Sequence, residues 1–331
     1  MSVFIVAELS ANHKQDLSLA KESLYAIKEC KANAVKLQTY TPSDLTIDCK
    51  SEIFKVKTNN KWSGKYLYDL YKEAFMPLEW HFELFTLAKK IGLVCFSSAF
   101  SKDGITLLES LDNPIYKIAS FEVLDLDLVE NIAKLGKPVI LSSGIATNAE
   151  LQEAIECIKP HTSDITILKC VSAYPAKVSE MNLCEMKELG EKFNVKFGLS
   201  DHSIGNLAGI IATSLGASVI EKHFIMDKTI DSVDAHFSLD KAEFSEFVKI
   251  IRESESALES KVSDSKLQGR EFARSLFVVK DIKKDDILNN ENIKSIRPNA
   301  GLKPKFLKQI LGKKATKDLP FGKPLEWSDF S

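Results

Sequence analysis

Gly198-Leu199-Ser200-Asp201-His202-Ser203, followed after an apolar interval by Ser218-Val219-Ile220-Glu221-Lys222-His223-Phe224, is the stretch on which the fold turns. An apolar run leads into each histidine, and the interval sets Gly205, Gly209 and Gly216 around Leu207, Ala208, Ile210, Ile211, Ala212 and Leu215. That pattern reads as strand, short helix, strand. It places His202 and His223 just past the ends of two consecutive parallel strands, side by side in space. Neutral imidazole is the commonest metal ligand. Two readings stay open at this point: a divalent ion with open coordination positions, or a pair of structural histidines held by hydrogen bonds.

Working outward, the same alternation recurs upstream. Val3 to Ala7 is a strand followed by Glu8 and by Ser10-Ala11-Asn12-His13, and Asp16 is placed to cap the next helix. Ala34 to Gln38 is a strand with Lys36 and Gln38 on one face, because side chains two apart point the same way. Leu93 to Phe96 ends in Ser97-Ser98, Ile115 to Ala119 in Ser120-Phe121-Glu122, and Pro138 to Leu141 in Ser142-Ser143-Gly144. Ile165 to Cys170 ends in Ser172-Ala173-Tyr174-Pro175, and a last helix spans about Ala242 to Leu258. Eight β-branched strands alternating with helices predict an α/β fold, a (β/α)8 barrel over residues 1–260, with a doubly wound sheet as the alternative. The barrel is favoured because chemically able residues follow every strand, where a barrel builds its active site. Residues 41–66 form a long polar connection containing Trp62-Ser63-Gly64, either a lid or a surface excursion. Residues 261–269 read as a linker, and 270–331 as a small β-rich domain near the lower size limit for folding alone.

The 331-residue chain has a net charge of −2, unevenly spread: about +6 from Arg270 onward and −8 before it. That asymmetry suits two units that attract each other, within a chain or between chains. The basic lysines are scattered with little aromatic interleaving, which argues against nucleic acid. The six cysteines form no CxxC pair and read as buried reduced thiols. The residues following Met1 do not resemble a signal peptide, and no run approaches the roughly 18 apolar residues of a membrane span. A cytoplasmic protein is expected.

At the strand ends the chain gathers lysines (Lys36, Lys117), hydroxyls (Ser98, Ser120, Ser142, Ser200), carboxylates (Glu8, Glu122, Glu221, Asp234) and the two histidines. Taken singly, each serine is a helix cap and each lysine half of an ion pair. Together, lysine, hydroxyls and helix N-termini suit a phosphate, and a neighbouring metal could polarise a carbonyl. The residues therefore read as metal-assisted chemistry on a small phosphorylated anion.

The ordered stretches Ala7-Glu8-Leu9-Ser10-Ala11-Asn12-His13, Val35-Lys36-Leu37-Gln38-Thr39, Tyr116-Lys117-Ile118-Ala119-Ser120, Leu141-Ser142-Ser143-Gly144, Gly198 to His202 and Glu221-Lys222-His223-Phe224 resemble those of the nonulosonic (sialic) acid synthases. The tail from Phe272-Ala273-Arg274-Ser275-Leu276 through Ile296-Arg297-Pro298 resembles the antifreeze-like (SAF) domain that ends these enzymes. The resemblance implies condensation of phosphoenolpyruvate with the open-chain aldehyde of an N-acetylated sugar, giving a nine-carbon 2-keto acid and phosphate. It implies Mn2+, with Mg2+ or Co2+ as alternatives, on His202 and His223. It maps Ser98, Lys117, Ser120, Ser142 and Ser200 onto phosphoenolpyruvate contacts, Glu8, Lys36, Gln38, Tyr174 and Asp234 around the sugar, and Glu122 near the reacting centre. Arg297 maps onto an arginine that reaches the partner's acceptor in a domain-swapped homodimer. Within the family, Glu8 to His13, Leu67-Tyr68-Asp69-Leu70-Tyr71 and Ile118 to Glu122 favour the branch whose acceptor is 2,4-diacetamido-2,4,6-trideoxy-L-altrose, a 6-deoxy amino sugar, over the manno-configured acceptors of legionaminate and neuraminate synthases. Ser172 departs from the asparagine of neuraminate synthases, and Ser98-Ala99 from the more usual Thr-Pro. His13 and His236 lie near enough to be considered as a third ligand. A metal aldolase or phosphohydrolase on the same barrel, and a non-enzymatic binding module, are the competing classes.

Overall fold

The computed structural model describes residues 2–57, 62–259 and 268–331. The chain divides into two compact units, Met1–Glu259 and Ser260–Ser331. Most of the expected linker lies outside the described residues.

The first unit is a closed parallel barrel: β1 Phe4–Glu8, β2 Ala34–Thr39, β3 Val94–Ala99, β4 Tyr116–Ile118, β5 Val139–Ser142, β6 Ile165–Cys170, β7 Lys196–Asp201 and β8 Val219–His223. Its strands pair in chain order, and β8 closes on β1 with Glu8 opposite His223. The period of two sorts each strand into two faces. Val6, Ala34, Phe96, Ile140, Leu168 and Val219 form a buried cluster of their own inside the barrel. Two residues further along the same strands stand Glu8, Lys36, Ser98, Ser142, Cys170 and Glu221, all buried. The interior is thus an apolar plug below and a polar layer above. The alternate residues, among them Ile5, Val35, Leu37, Leu199 and Ile220, join the helices in the outer core.

The cap expected at Asp16 is present. The Asp16 carboxylate accepts from the Ser18 and Leu19 N–H groups at the start of helix Leu17–Glu29, and Thr147 with Glu150 forms a capping box on helix Asn148–Ile158. Three expectations are corrected. Strand β3 continues through Ser97 and Ser98 to Ala99, so these serines are strand residues; their backbones pair with Leu37 and Gln38 of β2. The connection over 41–66 holds short helical turns at Pro42–Leu45 and Glu52–Phe54, and a helix Leu67–Ala74 that periodicity did not reveal follows it. Not every cysteine is buried: Cys30, Cys95 and Cys170 are, Cys49 and Cys157 are partly so, and Cys184 is exposed, all as free thiols.

The second unit is built round an antiparallel pair, β9 Ser275–Val278 and β10 Ile293–Ile296, with Ile293 opposite Val278. Leu276, Val278, Ile282, Leu288, Ile310, Leu319 and Leu325 form its core. Asp329 is buried there and takes ion pairs from Lys317 at 3.0 Å and Lys323 at 2.6 Å.

Candidate active site

Strand alternation delivers the side chains of the mouth. On β7 and β8, Ser200, Glu221 and His223 turn to the barrel interior and His202 follows, while Asp201 and Lys222 turn the other way. The last two form a fully buried pair at 2.7 Å, and the Lys222 ammonium also donates to the Ser203 carbonyl and lies 6.0 Å from the Phe247 ring centroid. Asp201 in turn accepts from the Ser203 N–H and hydroxyl at 2.9 and 2.7 Å. Close contact of the two strands is allowed by Gly198, where a Cβ would stand 2.1 Å from the Val219 carbonyl oxygen. This pair pins the turn after His202 to the strand of His223. Asp201→Ala leaves a buried, unpaired ammonium and is expected to cost about 3–5 kcal/mol in chemical denaturation; a loss below about 1 kcal/mol, the ordinary worth of an exposed pair, would show that the pin does not hold.

The two imidazoles meet at 5.4 Å between ring centroids. The Val171 carbonyl lies 2.9 Å from His202 Nδ1. A carbonyl only accepts, so Nδ1 carries a proton, and Nε2 is the nitrogen that offers a lone pair when the ring is neutral. Burial, then the neighbouring His202 and Lys36, holds the His223 imidazole well below its usual range, so it is neutral. Its Nδ1 is buried with no hydrogen-bond partner among the described residues and stands 4.0 Å from the Asp234 carboxylate. Burial lowers the His202 pKa, but Cys170 and the Val171 carbonyl outweigh it and hold this imidazole above its usual value. With His202 Nε2 deprotonated, the two rings fit a divalent ion that takes its other ligands from water or substrate. Among the described residues no third His, Cys, Asp or Glu completes a protein ligand set. His13 is fully buried, packs edge-on against Trp80, and is held at about 4 by burial and then by His81. His236 is exposed and lies against Trp62 and Phe237.

Beside the histidines lies a buried charge cluster. The Lys36 ammonium pairs with Glu8 and stands 3.6 Å from Glu221, which also accepts from Ser200 at 3.1 Å. Burial pushes the Glu8 carboxyl up to about 7, against the pull of Lys36. Burial also raises Glu221, but the ammoniums of Lys36 and Lys117 outweigh it and hold this carboxyl below its usual value. Gln38 donates to Glu8 at 3.1 Å and to Ser10 at 3.2 Å, and Ser10 donates to Asp234. Glu8, Lys36, Gln38 and Asp234 therefore form one connected polar wall.

The other wall gathers a lysine and hydroxyls, groups suited to an anion. Lys117 on β4 donates to the Ser142 hydroxyl at 2.7 Å, and burial lowers its pKa. The Ser120 and Ser172 hydroxyls are 2.9 Å apart. Gly144 brings its backbone so close that a Cβ would lie 2.0 Å from the Ser120 Cβ, at a φ of +33°. The Ser98 hydroxyl and one Glu122 oxygen are buried with no hydrogen-bond partner among the described residues. Buried polar groups of this kind need a partner, and a ligand or ordered water in the mouth would supply one. Burial pushes Glu122 up to about 7, with Lys117 opposing. A phosphate beside Lys117 and the serines, and a carbonyl at the histidines, would both be met by preformed groups.

Tyr174 closes the mouth, its ring 4.4 Å from His202 and 5.2 Å from Phe237. The barrel thus collects Glu8, Lys36, Gln38, Ser98, Lys117, Ser120, Glu122, Ser142, Tyr174, Ser200, His202, His223 and Asp234. Arg297 lies in the second unit, exposed just past β10. Two residues enter that had no assigned role in the sequence reading. Trp62 rests against Tyr174 with centroids 5.5 Å apart; aromatic character in the long connection was its only signal. Cys170 comes 3.9 Å from His202 Nδ1, placed there by strand alternation on β6.

The comparisons agree with this geometry. The NeuB family model matches residues 24–263, and the SAF domain model residues 273–331. The chain is 56% identical over 330 residues to the pseudaminic acid synthase of Helicobacter pylori, covering 98% of this chain and 97% of that one. It is 34% identical over 336 residues to the N,N'-diacetyllegionaminic acid synthase of Legionella pneumophila, covering 99% and 94%. The crystal structure of N-acetylneuraminic acid (sialic acid) synthetase from Leptospira borgpetersenii superposes with a TM-score of 0.71 at 29% identity, covering 82% of this chain and 89% of that one. The chain belongs to the NeuB family, the sialic acid synthase family that its motifs resemble, and ends in a SAF domain.

Proposed function

We propose that the chain is a pseudaminic acid synthase, condensing phosphoenolpyruvate with 2,4-diacetamido-2,4,6-trideoxy-L-altrose and water to give pseudaminic acid and phosphate. The observation that carries this is the near-full-length likeness to the Helicobacter pylori pseudaminic acid synthase, well above that to the legionaminic acid enzyme. The alternative within the family is a manno-configured acceptor.

In this reading Lys117, Ser98, Ser120, Ser142 and Ser200 hold phosphoenolpyruvate by its anionic groups. Glu8, Lys36, Gln38, Tyr174 and Asp234 hold the open-chain sugar with its aldehyde at the histidines. A divalent ion, Mn2+ or alternatively Mg2+ or Co2+, on His202 and His223 would supply the positive charge that polarises the aldehyde oxygen. C3 of phosphoenolpyruvate forms the new C–C bond to the aldehyde carbon. Water adds at C2, its proton passing through Glu122 to the former aldehyde oxygen, which becomes a hydroxyl. The C2 hydroxyl then gives its remaining proton to the departing phosphate, which leaves with the bridging oxygen as the ketone forms.

A homodimer is part of the proposal, with Arg297 of a second copy completing the acceptor site. Phe121, Leu124, Ile145 and Ile204, on the loops after β4, β5 and β7, and Leu207 at the start of helix Leu207–Ser214, expose apolar surface that such a copy could cover. No described helix is long and apolar enough to cross a membrane, and we place the work in the cytoplasm, where phosphoenolpyruvate is made. Light scattering that finds only monomer would remove the dimer.

Phosphoenolpyruvate labelled with 18O at its bridging position tests the bond cleaved. The label is expected in phosphate, released only when acceptor is present. Label retained in the organic product, or release without acceptor, would favour the hydrolase reading.

A further inference from the structure

We propose that Trp62 is a specificity-determining residue for the acceptor sugar, its indole packing on the apolar end of the chain remote from the aldehyde. The inference rests on the reading of the mouth as a sugar-condensing site.

Trp62 belongs to the connection between β2 and β3, yet its indole N–H donates to the carbonyl of Val233, beyond β8, at 3.1 Å. It therefore crosses the end of β1, which lies between those strands in the barrel order and carries Glu8. Its attachment is built into the fold. The Val56 N–H donates to the Lys65 carbonyl and the Gly64 N–H to the Val56 carbonyl, both at 2.9 Å. Val56 and Trp62 pack on a cluster of Ala11, Leu70, Ala74 and Val233.

The indole continues an aromatic wall. It contacts Tyr174 at 5.5 Å and His236 at 6.3 Å between centroids, and Tyr174 and His236 both rest on Phe237. Trp62 is half-buried, so part of its surface stays accessible to a ligand. Alongside this wall the mouth is polar: Gln38 joins Glu8 to Ser10, and Ser10 donates to Asp234.

A site of this make-up binds a molecule polar on one side and apolar on the other. Phosphoenolpyruvate is small and anionic, and Lys117 with the serines serves it without an aromatic surface. A 6-deoxy diacetamido sugar has a terminal methyl and two acetamido methyls. With its aldehyde at His202, its far end lies beyond Tyr174, where Trp62 is. A 6-hydroxyl there would be desolvated against the indole.

The test is steady-state kinetics of Trp62→Ala, Trp62→Phe and wild type, with acceptor and phosphoenolpyruvate varied separately. Trp62→Ala is expected to raise the acceptor KM about tenfold, a free-energy loss of about 1.4 kcal/mol, with the phosphoenolpyruvate KM changed less than about twofold on that same scale. Its preference for a 6-deoxy over a 6-hydroxy acceptor should fall, and Trp62→Phe should restore most of both. An acceptor KM unchanged in Trp62→Ala, or both KM values rising in parallel, overturns the proposal. Should the alanine variant fail to fold, Trp62→Leu is read by the same two outcomes. Wild-type turnover of some other acceptor alone would remove the pseudaminic reading, while the split between the two KM values, measured with that acceptor, still decides the contact with Trp62.

Discussion

His202→Ala is expected to lower kcat by about a thousandfold or more, which corresponds to roughly 4 kcal/mol of transition-state stabilisation, without unfolding the barrel. The imidazole projects into the mouth from the end of β7, and the strand's own packing rests on Leu199 and Gly198. His223→Ala should cost as much, and the double variant little more than either, because groups that serve one ion act as a unit. Mn2+ titration followed by electron paramagnetic resonance gives a readout apart from turnover: wild type should bind and the single variants should not. A His202→Ala protein that still turns over after chelation would falsify the metal role. In that event the pair would be the hydrogen-bonded structural couple that spacing alone also allowed.

Glu122→Gln should lower kcat by about 10²- to 10⁴-fold, the range for loss of a general base, with little change in either KM. The Glu122 carboxyl is pushed up to about 7 by burial, so it is protonated and unable to accept a proton at lower pH. Wild-type kcat should therefore rise with pH through about 7. Glu8 sits near the same value, but its partner is Lys36 and its neighbour Gln38. The Glu122→Gln substitution should flatten the rise while leaving the Glu8 titration in place. A Glu122→Gln variant that keeps the full pH rise would move the base to another group.

The barrel was legible because its strands are short, β-branched and end in polar residues. The polar layer could be read from the same alternation: Lys36 and Gln38 share a face in the sequence, and the structure puts both beside Glu8. What the local pattern did not carry was long-range. Helix Leu67–Ala74 is only 8 residues long, little more than two turns, too short for its period to be separated from the polar connection before it. Ser97 and Ser98 looked like a strand terminus because hydroxyls usually end strands. Inside a barrel they continue it, since the β2 backbone pairs with them. Trp62 could be named but not placed, since its partners Tyr174 and Val233 are more than a hundred residues away. The Asp201–Lys222 pair stood in the opening stretch as two charges beside two histidines, and only the register of β7 on β8 joins them.

The measurement that bears most directly on the function is phosphate release from phosphoenolpyruvate with Mn2+ and three acceptors offered separately: 2,4-diacetamido-2,4,6-trideoxy-L-altrose, its manno-configured legionaminate counterpart, and N-acetylmannosamine. Release with the first alone is the expected result. Release with either manno-configured sugar and not the first would contradict the assignment to pseudaminic acid, and release with none would contradict the condensation itself.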